Sequence, residues 1–423
     1  MARLFRIRRG EWTVTLWSFA YAFFLLSGYY VLRPVREAMG IAGDLRALSW
    51  LFTATFVTML GAMPVYWALV MRYPRRIFIP AVYHFFTLNL LAFAGVLALW
   101  PGAEGAVGRV YFVWVSVFNL MVISVFWSFM ADTFTNEQGR RLFGFIAGGG
   151  TIGALVGALA TAQLVERLGI ATLLLLSAAL LQGAVYCQRR VARSAATGRP
   201  PHEALARERQ RIGGGLLTGF LAVLRSPYLL AICGYIFLDT YAGTVLYFAQ
   251  ATVVQEAAMG TEVRTRLFAY IEVAVQALTL LMQFFLAERA MRRIGVGLTL
   301  AVLPAIFAVG FAGLGAAPVL ATVVVFQVVR RSTHYGLSKP TRETLFTLVS
   351  DEEKYKSKGF IDTVVYRGGD AVSARLFDGL RGLGHGLGTI ALLSIPASAV
   401  WIALALFLGR KQRARRRAAG ERG

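Results

Sequence analysis

Ionisable and polar side chains recur inside stretches that are otherwise apolar, and their spacing is helical. Glu272, Gln276, Thr279 and Gln283 follow an i, i+4, i+7, i+11 pattern, which puts all four on one face of a helix. Tyr228, Tyr235, Asp239 and Gln250 share a face by the same count, as do Ser18, Tyr29, Arg33 and Arg36. Arg367, Asp370 and Asp378 form a fourth stripe, with Arg367 and Asp370 at i,i+3. A charge within a bilayer costs on the order of 2.5–3.5 kcal/mol at mid-depth on insertion scales, so such residues face a bundle interior or a wet cavity. Four stripes of this kind are most simply satisfied by one shared polar cavity. Arg33, Arg36 and Arg367 could hold an anionic group of a solute, with Tyr29, Tyr235, Gln276 and Asp370 beside them. Asp239 and Glu272 are the candidates to carry a coupling proton. Asp132, Glu137, Arg140, Arg141 and Glu353 stand at the ends of apolar blocks, where a gate would be latched.

The elements that must position these residues are legible in composition. The 423 residues are 57% hydrophobic and only 16% charged, against about 25% charge in a soluble domain. Mean hydropathy is +0.60. Twelve apolar blocks lie near 12–32, 47–71, 77–100, 108–131, 143–165, 169–188, 227–250, 266–288, 295–315, 317–335, 360–380 and 386–409. Blocks of about 20 residues are transmembrane helices, since lipid offers no partner to an unpaired backbone and barrel strands are about half that length. An ordinary soluble enzyme, a disulfide scaffold and a disordered chain are excluded. The expected fold is an all-α polytopic membrane protein of twelve transmembrane helices. Pro34 is expected to end or bend the first.

The net charge of +22, from 44 Lys+Arg against 22 Asp+Glu, could suggest nucleic acid. The basic residues instead cluster at alternate block ends: Arg3 to Arg9, Arg72 to Arg76, Arg140 and Arg141, Arg189 to Arg225, Arg289 to Arg293, Arg330 to Lys358, and the tail from Arg410. By the positive-inside rule both termini are cytoplasmic. The expected setting is the inner (cytoplasmic) membrane, with the bilayer and a small-molecule solute as partners, no nucleic acid, and a monomeric state. The first block, after its basic head, is a span rather than a cleaved leader, since no small-residue cleavage site follows it.

The second half echoes the first at an offset of 216–217. Arg72-x-x-Arg75-Arg76 recurs as Arg289-x-x-Arg292-Arg293, Glu137-x-x-Arg140 as Glu353-x-x-Lys356, and Arg8 as Arg225. Six spans per half make the repeats parallel, the plan of the major facilitator fold, with a solute site near the midplane between halves. The domains are then 1–188 and 223–409, each a six-helix bundle, joined by a cytoplasmic linker 189–222 and followed by a basic tail 410–423.

Two signals are set aside. Gly148-Gly149-Gly150-Thr151-Ile152-Gly153 satisfies GxGxxG, but no strand precedes it, and Gly149, Gly153 and Gly157 at every fourth residue suit close helix approach. His84, His202, His334 and His385 are scattered, without an acid partner at ligand spacing. There is no GxxxxGK[ST] and no nucleophile–base pair, so no catalytic residue, cofactor or metal is assigned, and any work must be driven by a gradient or by exchange.

Three stretches carry a family resemblance. They are Leu32-Arg33-Pro34-Val35-Arg36-Glu37, then Phe126-Trp127-Ser128-Phe129-Met130-Ala131-Asp132 with Glu137-Gln138-Gly139-Arg140, and Glu352 to Asp362 followed by Val364-Val365 and Arg367-Gly368-Gly369-Asp370. Together they resemble the nucleotide transporter (ATP/ADP translocase) family, and more so its free-living bacterial branch within the major facilitators. The resemblance spans most of the chain in layout but is specific only in these stretches. It implies an alternating-access carrier whose basic residues hold nucleotide phosphates. Arg36 stands where the family has a lysine, Asp370 reverses the charge of another lysine, and Asp132 replaces an asparagine. The fold and transport class carry over, and the solute stays open. The reading is a secondary active transporter of an anionic or nucleotide-like solute. The alternatives are an ATP/ADP-type exchanger (an antiporter) and a non-transporting sensor or scaffold on the same bundle, with segment 189–222 as its partner-binding element.

Overall fold

The computed structural model describes residues 7–41, 45–100, 102, 104–196, 223–224, 226–348 and 360–418, and no strand occurs among them. Span 1 is Trp12–Ile41, span 2 Leu45–Arg72, span 3 Arg75–Leu99 and span 4 Glu104–Thr133. Spans 5 and 6 are the two limbs of Asn136–Ala196, which breaks at Gly169 (φ 72°, ψ 170°), a left-handed conformation that only glycine adopts cheaply. Span 7 is Pro227–Glu256, span 8 Thr261–Phe285 and span 9 Gly295–Ala316. Span 10 runs from Leu320–Thr333 through a π turn, His334–Ser338, into Lys339–Glu343. Span 11 begins as a second π turn, Ile361–Val365, and continues as Tyr366–Gly382. Span 12 is Leu387–Ala418. Nine of the described helices are long and apolar enough to cross a membrane, and Arg141–Ser194 among them holds two spans. Spans 10 and 11 are each interrupted by a π turn, which leaves α-helical stretches of 14 and 17 residues, and they carry several of the polar groups discussed below.

Three expectations are corrected. Pro34 does not end span 1; it lies inside a helix that continues to Ile41 and is itself buried. Span 10 does not stop at 335, and Arg330, Arg331 and Arg342 are not solvated loop residues. They are helical and largely buried, with Arg331 and Arg342 only 9% and 6% exposed. Hydropathy falls there because the side chains are charged, not because the helix leaves the protein. Span 6 likewise runs on to Ala196, and Arg190 lies 5.0 Å over the ring of Trp17.

The described residues group into two compact units. The first draws on Met1–Gly43, Val57–Ile212 and Gly260–Val273, the second on Asp44–Phe56, Gly213–Met259 and Ala274–Gly423. Spans 2 and 8 are therefore divided, the start of each packing in the unit that holds the rest of the other.

In the first unit, Tyr21, Leu25, Leu32, Tyr83, Tyr111 and Phe118 are fully buried. Trp114 stacks on Phe118 at 5.3 Å, and the Tyr21 and Tyr83 hydroxyls are hydrogen-bonded. Span 1 meets span 5 along its glycines: a methyl on Gly149, Gly153 or Gly157 would strike the carbonyls of Phe19, Phe23 or Ser27. Ser27 Oγ donates to Gly153 O at 3.0 Å across that seam. The GxGxxG stretch thus serves close helix packing. The second unit packs Phe307 against Trp401 at 5.4 Å and Tyr235 against Trp401 at 5.4 Å.

Candidate functional site

Within the first unit, Arg33 on span 1 points Nε at Glu272 Oε1 on span 8, 3.3 Å away. The glutamate side chain is 3% exposed and the arginine 16%. Arg33 also reaches Tyr30, with its guanidinium carbon 5.6 Å from the ring centroid. A buried pair of this kind costs desolvation of both charges and repays it only through mutual attraction and hydrogen bonds. Its residues, assigned from sequence to solute binding and to coupling separately, are one electrostatic element.

Arg36 lies one turn on. Its guanidinium covers Phe112 at 4.0 Å, its Nε donates to Phe112 O at 3.2 Å, and Nη1 stands 3.2 Å from Glu37 Oε1. Tyr29 is buried beside Tyr30, their rings edge to face at 5.2 Å.

Within the second unit, the site gathers on spans 7, 10 and 11. Asp239 is 1% exposed. Its Oδ2 stands 3.0 Å from His334 Nδ1, and its Oδ1 stands 3.9 Å from Arg330 Nη2. Arg342 acts electrostatically on both Asp239 and His334. Span 10 aims Arg330 and His334 at one carboxylate, and the π turn that starts at His334 sits between Arg330 and Arg342. An extra residue per turn re-aims side chains locally, which is why π turns recur at functional sites. Gly243 on span 7 makes room: a methyl there would stand 2.5 Å from Arg330 Nη2. Tyr235, one turn below Asp239, donates to Leu300 O at 3.0 Å and shares a 2.9 Å hydrogen bond with Ser338 of the π turn.

On span 11, Arg367 Nη1 stands 3.5 Å from Asp370 Oδ2, and Thr244 of span 7 donates to Asp370 Oδ1 at 3.2 Å. On span 8, Gln276 and Thr279 are buried, whereas Gln283 is exposed and donates to Tyr335 O at 3.2 Å. Asp378, Arg375 and the start of span 2 form a further cluster. Ser49 Oγ is 3.4 Å from Asp378 Oδ2, Arg375 donates to Thr53 Oγ1 at 3.3 Å, and its guanidinium lies 3.3 Å over Trp50.

The residues expected at a gate fall in different places. Arg141 grips Glu11 with two hydrogen bonds of 2.9 and 3.2 Å, Gln138 Nε2 adds one of 3.1 Å, and the Arg8 backbone N–H adds one of 3.0 Å. The first of these bonds holds the Glu11 carboxyl down at about 2, well below its ordinary value, against the opposing pull of partial burial. Glu137 pairs with Arg8 at 3.0 Å on the surface. This clasp ties the head of span 1 to the start of span 5 inside the first unit. Asp132 is half-buried beside it in sequence. Glu353 and the Arg140 side chain lie outside the described residues.

Sequence reasoning missed His334, Arg330, Arg342 and Glu11. His334 was set aside for want of an acid partner, and its partner lies on another span. The polar run from Arg330 to Arg342 was the available signal, since its charges fall at helical spacing with no break between them.

No protein-family model matches the chain, and no curated protein matches it in sequence. Among solved structures it is similar to the crystal structure of the nucleoside transporter NupG, at a TM-score of 0.61 and 11% identity over 96% of this chain and 99% of that one. A single-residue mutant of the same transporter gives a TM-score of 0.59 at 12% identity over 96% and 100%. At that identity the likeness speaks to the fold. Together with the apolar helices it makes the chain an all-helical, multi-pass membrane protein of the major facilitator fold.

Proposed function

We propose that this protein is a secondary transporter, not an enzyme, and that it moves an anionic or nucleotide-like solute by alternating access. The observation that carries the reading is the set of buried ionic groups inside its spans, Arg33 with Glu272 and Asp239 with His334 and Arg330. Buried charges at membrane depth mark solute and proton paths more often than mere packing. The fold is compatible, since a nucleoside transporter is built on it. The motifs around Arg33, Asp132 and Arg367 favour the branch resembling nucleotide translocases, with Asp370 departing from it.

In this reading Arg33, Arg36, Tyr29, Tyr235, Gln276, Arg367 and Asp370 hold the solute. Asp239, through His334, and Glu272, through Arg33, take and release the coupling proton, because a carboxylate that gains a proton lets go of its cation. The Glu11–Arg141 clasp belongs to a gate. The protein sits in the cytoplasmic membrane as a monomer with both termini in the cytoplasm.

The test is uptake into proteoliposomes of radiolabelled adenosine, AMP and ATP, with and without a pH gradient. Gradient-driven accumulation of at least one is expected, and it is lost in Asp239→Asn and Glu272→Gln. No uptake or exchange of any of them, from protein that remains monodisperse, rejects the nucleotide-like solute. Unaltered gradient coupling in both variants rejects the proton assignment.

A further inference from the structure

The cations on the candidate site are not equally matched. Arg33 has Glu272, Arg36 has Glu37, and Arg367 has Asp370. Arg330 stands 3.9 Å from one carboxylate, Asp239, and Arg342, two turns beyond His334 on the same span, acts on that carboxylate electrostatically without a carboxylate of its own among the described residues. Arg342 is only 6% exposed, and among the described residues its Nε has no hydrogen-bond partner. The Nε of Arg330 has none either. Among the described residues, the other groups near Asp239 are neutral or paired. His334 is neutral unless it takes a second proton, Tyr235 lies one turn away on the same helix, and Tyr366 on span 11 precedes the Arg367–Asp370 pair. With His334 neutral, two fixed positive charges are set against one negative. Surplus buried charge is costly, and the cost falls when an opposite charge arrives.

The cluster is also asymmetric in what it presents. The side chains of Asp239 and His334 are 2% and 5% exposed, whereas Arg330 keeps 14%. The carboxylate is hidden and a cation is shown. Gly243 leaves the guanidinium space, and Phe307 supports it at 5.5 Å.

We propose that Arg330 and Arg342 form an anion subsite of the second unit that takes an oxyanion of the cargo, a phosphate or a carboxylate. This rests on the transporter reading above, and names two binding residues which that reading did not contain. The arriving oxyanion balances the unmatched charge, and two guanidinium forks match the geometry of carboxylate and phosphate. Asp239 holds the empty subsite together and competes with the cargo for the same cations.

The experiment is thermal unfolding of the full-length chain in uncharged detergent, at constant ionic strength. The probes are inorganic phosphate, acetate, AMP, adenosine and phosphatidylglycerol, with chloride as the control. Phosphate and AMP are expected to raise the midpoint of the wild type. Arg342→Gln and Arg330→Gln are each expected to weaken AMP by about tenfold or more, the loss of one charge-assisted contact, while adenosine is unaffected. Asp239→Asn is expected to tighten AMP and phosphate, because it removes the competing carboxylate. A merely structural role would weaken binding in all three variants, so the opposite sign is diagnostic.

The proposal is overturned if Arg342→Gln and Arg330→Gln leave AMP and phosphate protection unchanged, or if Asp239→Asn weakens them. It is also overturned if no anion protects the wild type, or if only phosphatidylglycerol does, which would make the subsite a lipid contact. Protection by phosphate or acetate that needs Arg342, without any binding or uptake of AMP or adenosine, upholds the subsite and rejects the nucleotide-like solute.

Discussion

Arg33 and Glu272, on spans 1 and 8, are held 3.3 Å apart in the interior of one unit, the glutamate side chain 3% exposed. Removing one partner strands a buried charge, and the cost is expected at about 3 kcal/mol. Glu272→Gln should lower thermal stability by that order, and Arg33→Gln/Glu272→Gln should recover most of it. A double-mutant cycle on unfolding in detergent measures this. Strictly additive losses would mean that the two side chains do not act as a pair.

His334 and Asp239 are expected to act as one proton-handling unit. His334→Gln keeps a polar side chain but cannot become cationic. It should abolish accumulation driven by a pH gradient while counterflow exchange of preloaded solute persists. Gradient-driven accumulation at the wild-type level in His334→Gln would remove histidine from the coupling path.

The glycine seam predicts a position-dependent response to one methyl group. Gly153→Ala drives a Cβ into the Phe23 carbonyl and should cost about 1–3 kcal/mol through overpacking. Gly144→Ala, on the same helix with open space around it, should be neutral or stabilising by up to about 1 kcal/mol. Equal melting temperatures for the two variants would contradict the close approach of spans 1 and 5.

Glu11 sets a pH dependence at one end of span 1. Its carboxyl is depressed to about 2 from an ordinary 4.5, chiefly by the Arg141 hydrogen bonds. A lowered value means the clasp contributes in full above the ordinary value, and its contribution is lost as pH falls towards 2. The stability gap between wild type and Glu11→Gln should hold steady above about pH 5 and close on acidification. A gap that stays constant from pH 5 to pH 2, measured by thermal melts, would show that the carboxylate is not engaged.

Much of this architecture is local and therefore readable along the chain. A block of about 20 apolar residues can only be a helix in lipid, so the spans follow from backbone hydrogen bonding. The faces bearing Glu272 and Gln276, or Tyr235 and Asp239, follow from the helical period. Where local reasoning failed, a hydropathy average met a buried charge. The stretch after 335 read as a loop because its charges lower the average, although Lys339–Glu343 is helical and Arg342 is enclosed. Pro34 read as an end or a bend because proline removes one backbone bond, yet a single missing bond does not end a helix whose residues on both sides of it are buried.

The sequence by itself determined most of the spans and which side chains share a helical face, because those depend only on the chain's own hydropathy and periodicity. Tertiary structure alone decided who meets whom: Arg33 with Glu272, Arg141 with Glu11, and His334 with the aspartate it was thought to lack. An ion pair is a property of two helices brought together. Its partners are chosen by how glycine seams and aromatic cores let those helices approach, which no spacing along one chain segment encodes.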